Sequence, residues 1–74
     1  MTDGSVYKMI VLVGTSPNSW EEAVKNAVAI ASQTVWNLRI AEVEELDVRI
    51  EEGKVVEYRA KVKMSFKIEK GQMF

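Results

Sequence analysis

The stretch from Thr15 to Asn37, TSPNSWEEAVKNAVAIASQTVWN, decides the fold. Ser19 followed three residues later by Glu22 is a capping box, in which each side chain can bond the other residue's backbone N–H at a helix start. Asn37 can adopt the left-handed conformation that ends a helix. Between them, apolar residues recur at three- and four-residue spacing: Trp20, Ala23, Val24, Ala27, Val28, Ala31 and Val35. This stripe predicts one amphipathic helix of about 17 residues.

The composition limits the chemistry that the chain can carry. It has 74 residues, a formal net charge of −1, and neither cysteine nor histidine. Thiolate and imidazole metal sites and nucleophile–histidine catalysis are therefore excluded within the chain, and we expect a binding protein and not an enzyme. The balanced charge argues against a nucleic-acid partner. No apolar run reaches the ~18 residues of a membrane helix, so we expect a single cytoplasmic domain with no membrane partner.

Two further segments have strand patterns. Tyr7–Val13 is apolar on both faces, so we expect a strand that is buried on both sides and ends at Gly14. From Ile40 to Ile50 the alternation of apolar and polar residues changes phase at Glu44 and Glu45. One extra residue in a period-2 pattern predicts a β-bulge at this point.

A tight turn and a third strand follow. Gly53 is expected to supply the positive φ of the turn, and residues 56–68 alternate between an apolar and a mostly charged face. The order β-α-β-β predicts an α+β fold in which a three-stranded antiparallel sheet wraps one amphipathic helix. The polar ends, residues 1–5 and 70–74, are expected to be flexible tails around a domain spanning residues 6–69.

Charge predicts how the last two strands pair. Two registers keep their apolar faces together: one sets Asp47 opposite Arg59, and the other sets Asp47 opposite Glu57. Opposed unlike charges stabilise an antiparallel pair by ~0.2–1 kcal/mol, whereas opposed like charges destabilise it. We therefore predict the first register, whose further pairs are Arg49 with Glu57 and Glu45 with Lys61.

The two tryptophans have different expected roles. Trp20 opens the apolar stripe and is expected to lie in the core. Trp36 lies opposite the stripe, where a monomer would expose it, so we expect it to pack against another subunit, with ligand stacking and plain exposure as alternatives. A chain this small rarely builds a core worth more than ~3–5 kcal/mol, so these apolar surfaces predict an oligomer.

The sequence resembles the dodecins, which are small β-α-β-β proteins that assemble into hollow homododecamers and hold flavins between their subunits. The resemblance extends from Val6 to about Glu69. The residues that carry it are Val6-Tyr7-Lys8, Val13-Gly14-Thr15-Ser16-Pro17, Ser19-Trp20, Thr34-Val35, Asn37-Leu38, Ala41-Glu42-Val43, Gly53-Lys54-Val55-Val56-Glu57-Tyr58 and Phe66.

The resemblance implies a non-enzymatic protein that binds and stores FMN or riboflavin in a homododecamer. In flavin-binding dodecins a Trp stacks on the flavin ring where this chain has Ile40, and a Gln bonds the ring edge where it has Arg59. Many bacterial members have Arg where this chain has Asp47. The candidate cofactor-binding residues are Ile40, Arg59, Asp47, Glu45 and Trp36, and they describe a flavin site whose ring contacts are altered.

Because these positions differ from the dodecin pattern, a second function stays open. The chain could form a dodecin-like shell that has lost flavin binding, and that binds another small molecule or a cation, or that serves only as a structural assembly. The residues that suggest a hard cation such as Ca²⁺ are the acidic ones of the second strand: Glu42, Glu44, Glu45 and Asp47. Alternation splits them between two sheet faces, so we expect a solvated charged strand and no dedicated metal site.

Overall fold

The computed structural model describes residues 5–68. Its elements are β1 (Tyr7–Ser16), α1 (Trp20–Ser32), β2 (Leu38–Glu51) and β3 (Lys54–Lys67). The strands form one antiparallel sheet in the order β1-β3-β2, so β3 is central and β1 and β2 are the edges. The predicted β-α-β-β fold is confirmed, while the expected tails fall outside the described residues except for Ser5.

Three serine and asparagine side chains organise the start of α1. Ser19 is the N-cap and accepts a hydrogen bond from the Glu22 backbone N–H at 3.0 Å, as the capping box predicts. The reciprocal prediction, that the Ser19 backbone N–H donates to the Glu22 side chain, is wrong. The Glu22 carboxylate accepts from the Ser16 hydroxyl and from Asn18 Nδ2, and the Ser19 N–H donates to Ser16 Oγ at 3.3 Å. Ser16 takes this place because the end of β1 brings its buried hydroxyl beneath the first helical turn.

The helix is shorter than expected. It has 13 residues and ends at Ser32, because the backbone N–H groups of Gln33 and Thr34 bond carbonyls only three residues back, those of Ile30 and Ala31, each at 3.1 Å. Asn37 does have positive φ, at 59°, but it lies in the connection to β2 and not directly behind the helix. Backbone N–H groups of the turn thus satisfy the carbonyls of Ile30 and Ala31.

Small residues let α1 lie directly on the sheet. Gly14 is inside β1, opposite Ala60, and does not end the strand as expected. A Cβ at Gly14 would be 2.1 Å from Ala23 O and 2.9 Å from Ala27 Cβ. The rest of the buried apolar core consists of Ala31 of the helix and of four residues of β3 beneath it: Ala60, Val62, Met64 and Phe66.

The helix covers only part of the sheet. It packs mainly on β1 and β3, and the helix-side residues Val43 and Leu46 of edge strand β2 stay about half exposed. The expectation that β1 is buried on both sides is wrong for a single chain, because no part of the described chain covers its second face. The residues exposed there are Tyr7, Met9, Val11 and Val13, which we call the open β1 face.

The β2–β3 register confirms the prediction from charge. Asp47 pairs with Arg59, Arg49 with Glu57, and Glu45 with Lys61. The predicted bulge is present between Val43 and Glu45, and two further register shifts lie near the ends of β2, between Leu38 and Ile40 and between Arg49 and Ile50. In the turn that follows, Gly53 has positive φ as predicted, and Glu52 has it too, at 51°.

Gly14→Ala should lower the free energy of unfolding by about 3 kcal/mol, because an added methyl group would overlap backbone atoms of α1 that cannot move independently of the helix. Urea unfolding at a fixed protomer concentration measures the change. Gly53→Ala is the comparison: it meets no atom within 4 Å but keeps the positive φ, and should cost only ~1 kcal/mol. Equal midpoints for Gly14→Ala and wild type would contradict the close packing.

Glu22→Gln should make stability less dependent on acid pH. Hydrogen bonds from Ser16 and then Asn18 hold the pKa of Glu22 below its ordinary value of 4.5. A lowered folded-state pKa contributes stability that is complete above the unfolded-state pKa and is lost as the pH falls through the folded-state value. Wild type should therefore exceed Glu22→Gln in stability at neutral pH, and the difference should shrink below pH 4.5.

Urea unfolding of both proteins at several pH values tests this dependence on pH. Glu21→Gln is the matched control, since Glu21 lies in the same helical turn and forms an exposed ion pair with Lys25 at 4.0 Å. This variant should change stability less than Glu22→Gln does. A stability difference between wild type and Glu22→Gln that stays constant from neutral to acid pH would show that ionisation of Glu22 does not contribute to the free energy of unfolding.

Candidate ligand-binding site

An ion pair occupies the sheet face opposite the helix. Arg59 Nε donates to Asp47 Oδ1 at 2.8 Å and Arg59 Nη2 donates to Asp47 Oδ2 at 3.4 Å. The alternation of β3 turns Ala60 into the core and Arg59 to the other side. Hydrogen bonding to Asp47 raises the pKa of Arg59, so its cationic form is favoured further. Two of the predicted site residues are thus brought together, with both side chains about half exposed.

The other acidic residues of β2 face cations of β3. Bulge residue Glu44 reaches Lys63, with Oε2 and Nζ 3.1 Å apart, and this contact raises the pKa of Lys63. Glu45 lies opposite Lys61 in the ladder. Within residues 5–68, no group of three or more Asp or Glu side chains is placed to hold a metal ion. In one subunit, the described carboxylates of the acidic strand thus lie opposite cations of the neighbouring strand.

Ile40 lies far from this ion pair. It is 63% exposed and pairs with Ser65, near the end of β3 that is remote from Arg59. At ~3.3 Å per residue, Ile40 is roughly 20 Å from Asp47 along β2. A single subunit therefore does not bring Ile40 and Arg59 into one contact surface.

Trp36 lies at the Ile40 end of β2. It is 75% exposed, as predicted for a single chain, but it belongs to the α1–β2 connection and not to the helix. Trp36 lines an open cleft of about 570 Å³ whose other lining residues are Ser32, Val35, Asn37, Leu38 and Arg39. Sequence reasoning missed Arg39, although a basic residue close to an exposed tryptophan was a usable signal.

Trp20 connects the helix to the ion pair. Its Nε1 donates to the Asp47 backbone carbonyl at 2.9 Å, and its ring meets Tyr58 edge to face with centroids 5.1 Å apart. Trp20 is 40% exposed, so its predicted place in the core is wrong. The first turn of α1 lies beside edge strand β2, which places the indole N–H within reach of the Asp47 carbonyl. Trp20 thus fixes the strand that carries Asp47.

These features define a class of protein: a small β-α-β-β binding protein that leaves apolar faces uncovered in a single subunit. Within the described residues, α1 is too short and too polar to cross a bilayer. The dodecin family model matches residues 6–69, and the chain belongs to the dodecin family.

Three relatives illustrate the match. The chain is 43% identical to calcium dodecin of Mycobacterium tuberculosis over 68 residues, which cover 92% of this chain and 96% of that protein. It is 39% identical to the dodecin of Thermus thermophilus over 66 residues, or 89% and 96% of the two chains. The structure of dodecin from Streptomyces coelicolor superposes with a TM-score of 0.88 at 36% identity, covering 95% of this chain and 100% of that one.

Proposed function

We propose that this protein binds flavin, as FMN or riboflavin, and stores it in a homododecameric cytoplasmic shell without catalysing a reaction. Membership of the dodecin family supports the binding function. The observation that carries the proposal is the Asp47–Arg59 pair, a planar, half-exposed hydrogen-bonding group on the sheet face away from the helix. A guanidinium can stack on a heterocycle or donate to its edge.

The flavin site is shared between subunits. Ile40 and Trp36 lie at one end of β2, whereas Glu45, Asp47 and Arg59 lie toward the other. A separation of roughly 20 Å exceeds what one isoalloxazine ring can span. The two groups can therefore touch one flavin only if one subunit supplies the apolar contact and a second subunit supplies the polar one.

Binding should be weak. Ile40 offers apolar surface but no π-face, and aromatic stacking on a base-like ring is worth ~1–3 kcal/mol. At 1.4 kcal/mol per decade, this difference weakens binding by about five- to a hundredfold. Arg59 donates hydrogen bonds but cannot accept one, so it satisfies only the acceptor atoms of the flavin edge.

The double variant Ile40→Trp/Arg59→Gln should raise flavin affinity about five- to a hundredfold, because it adds a stacking surface and an amide that both donates and accepts. Quenching of riboflavin and FMN fluorescence on titration with protein measures both affinities. Ile30→Trp/Arg49→Gln is the matched control: it makes the same exchanges at an exposed helix position and at a different ion pair, and should leave affinity unchanged.

The outcomes separate the two functions. Quenching by wild type at tens of micromolar protein supports flavin storage. Quenching by the Ile40→Trp/Arg59→Gln variant alone identifies a shell that has lost flavin binding through these two positions. Absence of quenching by both proteins would refute flavin binding at this site.

Cation binding is the second candidate, and one observation favours it: the Mycobacterium tuberculosis relative is named calcium dodecin. Within one subunit, Glu44 and Asp47 are already engaged by Lys63 and Arg59. A Ca²⁺ site would thus need carboxylates from more than one subunit. Isothermal titration of the assembled protein with CaCl₂ tests it, and a saturable heat of binding is the expected result.

The assembly is supported by the exposed apolar surface. The open β1 face and the uncovered β2 residues lie on opposite sides of the sheet, so burying both requires at least two different contacts. Each Å² of apolar surface removed from water stabilises the assembly by ~25 cal/mol. Closed symmetry repeats this contribution in every subunit. Folding and assembly are therefore coupled, and no folded monomer should accumulate on dilution.

Val11→Glu should lower the order of assembly, because it places a charge in the middle of the open β1 face, where the side chain is 49% exposed in the single chain. Sedimentation of wild type and variant at micromolar concentration measures the effect. Lys25→Glu, on the exposed face of the helix, is the control and should sediment as wild type. A folded wild-type monomer of 8.4 kDa would overturn the assembly.

A further inference from the structure

We propose that Trp20 is a positioning residue of the ligand site, which fixes the geometry of the Asp47–Arg59 pair from the opposite face of the sheet. The inference rests on the proposed function, because it assigns a further residue to the same site. Trp20 is not placed to touch a ligand of that pair, since it belongs to α1 on one side of the sheet and the ion pair lies on the other.

The indole of Trp20 contacts both strands that carry the pair. Its Nε1–H donates to the Asp47 backbone carbonyl at 2.9 Å, and its ring meets the Tyr58 ring at a centroid distance of 5.1 Å and an angle of 76°. Tyr58 precedes Arg59 in β3, and alternation points these two side chains to opposite faces of the sheet. One side chain therefore holds the backbone of Asp47 in β2 and the residue next to Arg59 in β3.

The segment of β2 that carries Asp47 depends on this hydrogen bond. One register shift precedes the segment, after Val43, and another follows it, after Arg49. The helix packs mainly on β1 and β3 and leaves this edge strand largely uncovered. Among residues 5–68, the bond from the Trp20 indole is the one hydrogen bond that joins α1 to β2. Its loss would leave the position of the segment to the ladder with β3.

The geometry of the ion pair is sensitive to the position of Asp47. Arg59 Nε lies 2.8 Å from Oδ1, whereas Nη2 lies 3.4 Å from Oδ2, near the limit of a hydrogen bond. Both side chains are about half exposed, so their neighbours do not enclose them. A small displacement of the Asp47 backbone would break the longer bond and let the guanidinium turn. Because the plane of the guanidinium decides how it meets a ligand, Trp20 acts on the ligand through Arg59.

NMR of the assembled protein tests this coupling without any ligand. Trp20→Phe keeps an aromatic ring beside Tyr58 and removes the N–H donor. The Arg59 Nε–H resonance should then shift toward the position that it takes in Asp47→Asn, in which the ion pair is weakened. Glu21→Gln, an exposed exchange in the same helical turn, is the control and should leave this resonance at its wild-type position.

Titration with FMN and with riboflavin, followed by quenching of their fluorescence, measures the consequence for binding. Trp20→Phe should weaken the binding of both flavins about two- to tenfold, as expected when one hydrogen bond that supports the site is lost. Glu21→Gln should bind both flavins as wild type does. Sedimentation should show the wild-type assembly for both variants.

An Arg59 Nε–H resonance that coincides in Trp20→Phe and wild type would overturn the proposal, whether or not flavin binds. Wild-type flavin affinity in Trp20→Phe, or dissociation of this variant into subunits, would overturn it as well, because Trp20 would then have a structural role only. If wild type itself fails to bind flavin, flavin storage is refuted, and the Arg59 resonance still decides whether Trp20 positions the ion pair.

Discussion

The approach of α1 to β1 at Gly14 is the constraint on which the rest of the fold depends. The helix backbone lies where a Cβ of residue 14 would be, so strand and helix meet without an intervening side chain. Ala23 and Ala27 complete this contact from the helix side. Packing so close yields a thin core of small side chains under a 13-residue helix. Such a core cannot extend over the two 14-residue strands that follow.

A thin core has consequences for the surface. The helix lies over β1 and β3, which leaves apolar residues of β2 on one side of the sheet and the open β1 face on the other. The edges differ as well. β2 carries register shifts and several carboxylates, features that discourage pairing with another strand, whereas β1 runs opposite β3 without a shift. A helix that is too short for its sheet therefore leaves apolar surface on both faces of the sheet, which association with a second subunit would bury.

The sequence predicted those features that depend on side-chain alternation and charge. The β2–β3 register followed from opposing Asp47 to Arg59, and the bulge at Glu44 followed from a change of phase, because both are properties of two adjacent strands. Predictions that depend on tertiary packing were wrong for two residues. Gly14 was expected to end β1, although its role is to admit the helix. Trp20 was expected in the core, although its indole N–H is drawn to an edge-strand carbonyl of β2.

The candidate site shows a further limit of reasoning along one chain. Residues that resemblance grouped together, Ile40 with Asp47 and Arg59, lie at separate positions of a long, regular ladder. Because an extended strand keeps such residues apart, one ligand can contact both groups only if they come from different subunits. The same geometry explains why the open cleft that Trp36 and Arg39 line is separate from the Asp47–Arg59 ion pair. Its residues are local in sequence, and two backbone irregularities present them together, so one subunit is sufficient to form it.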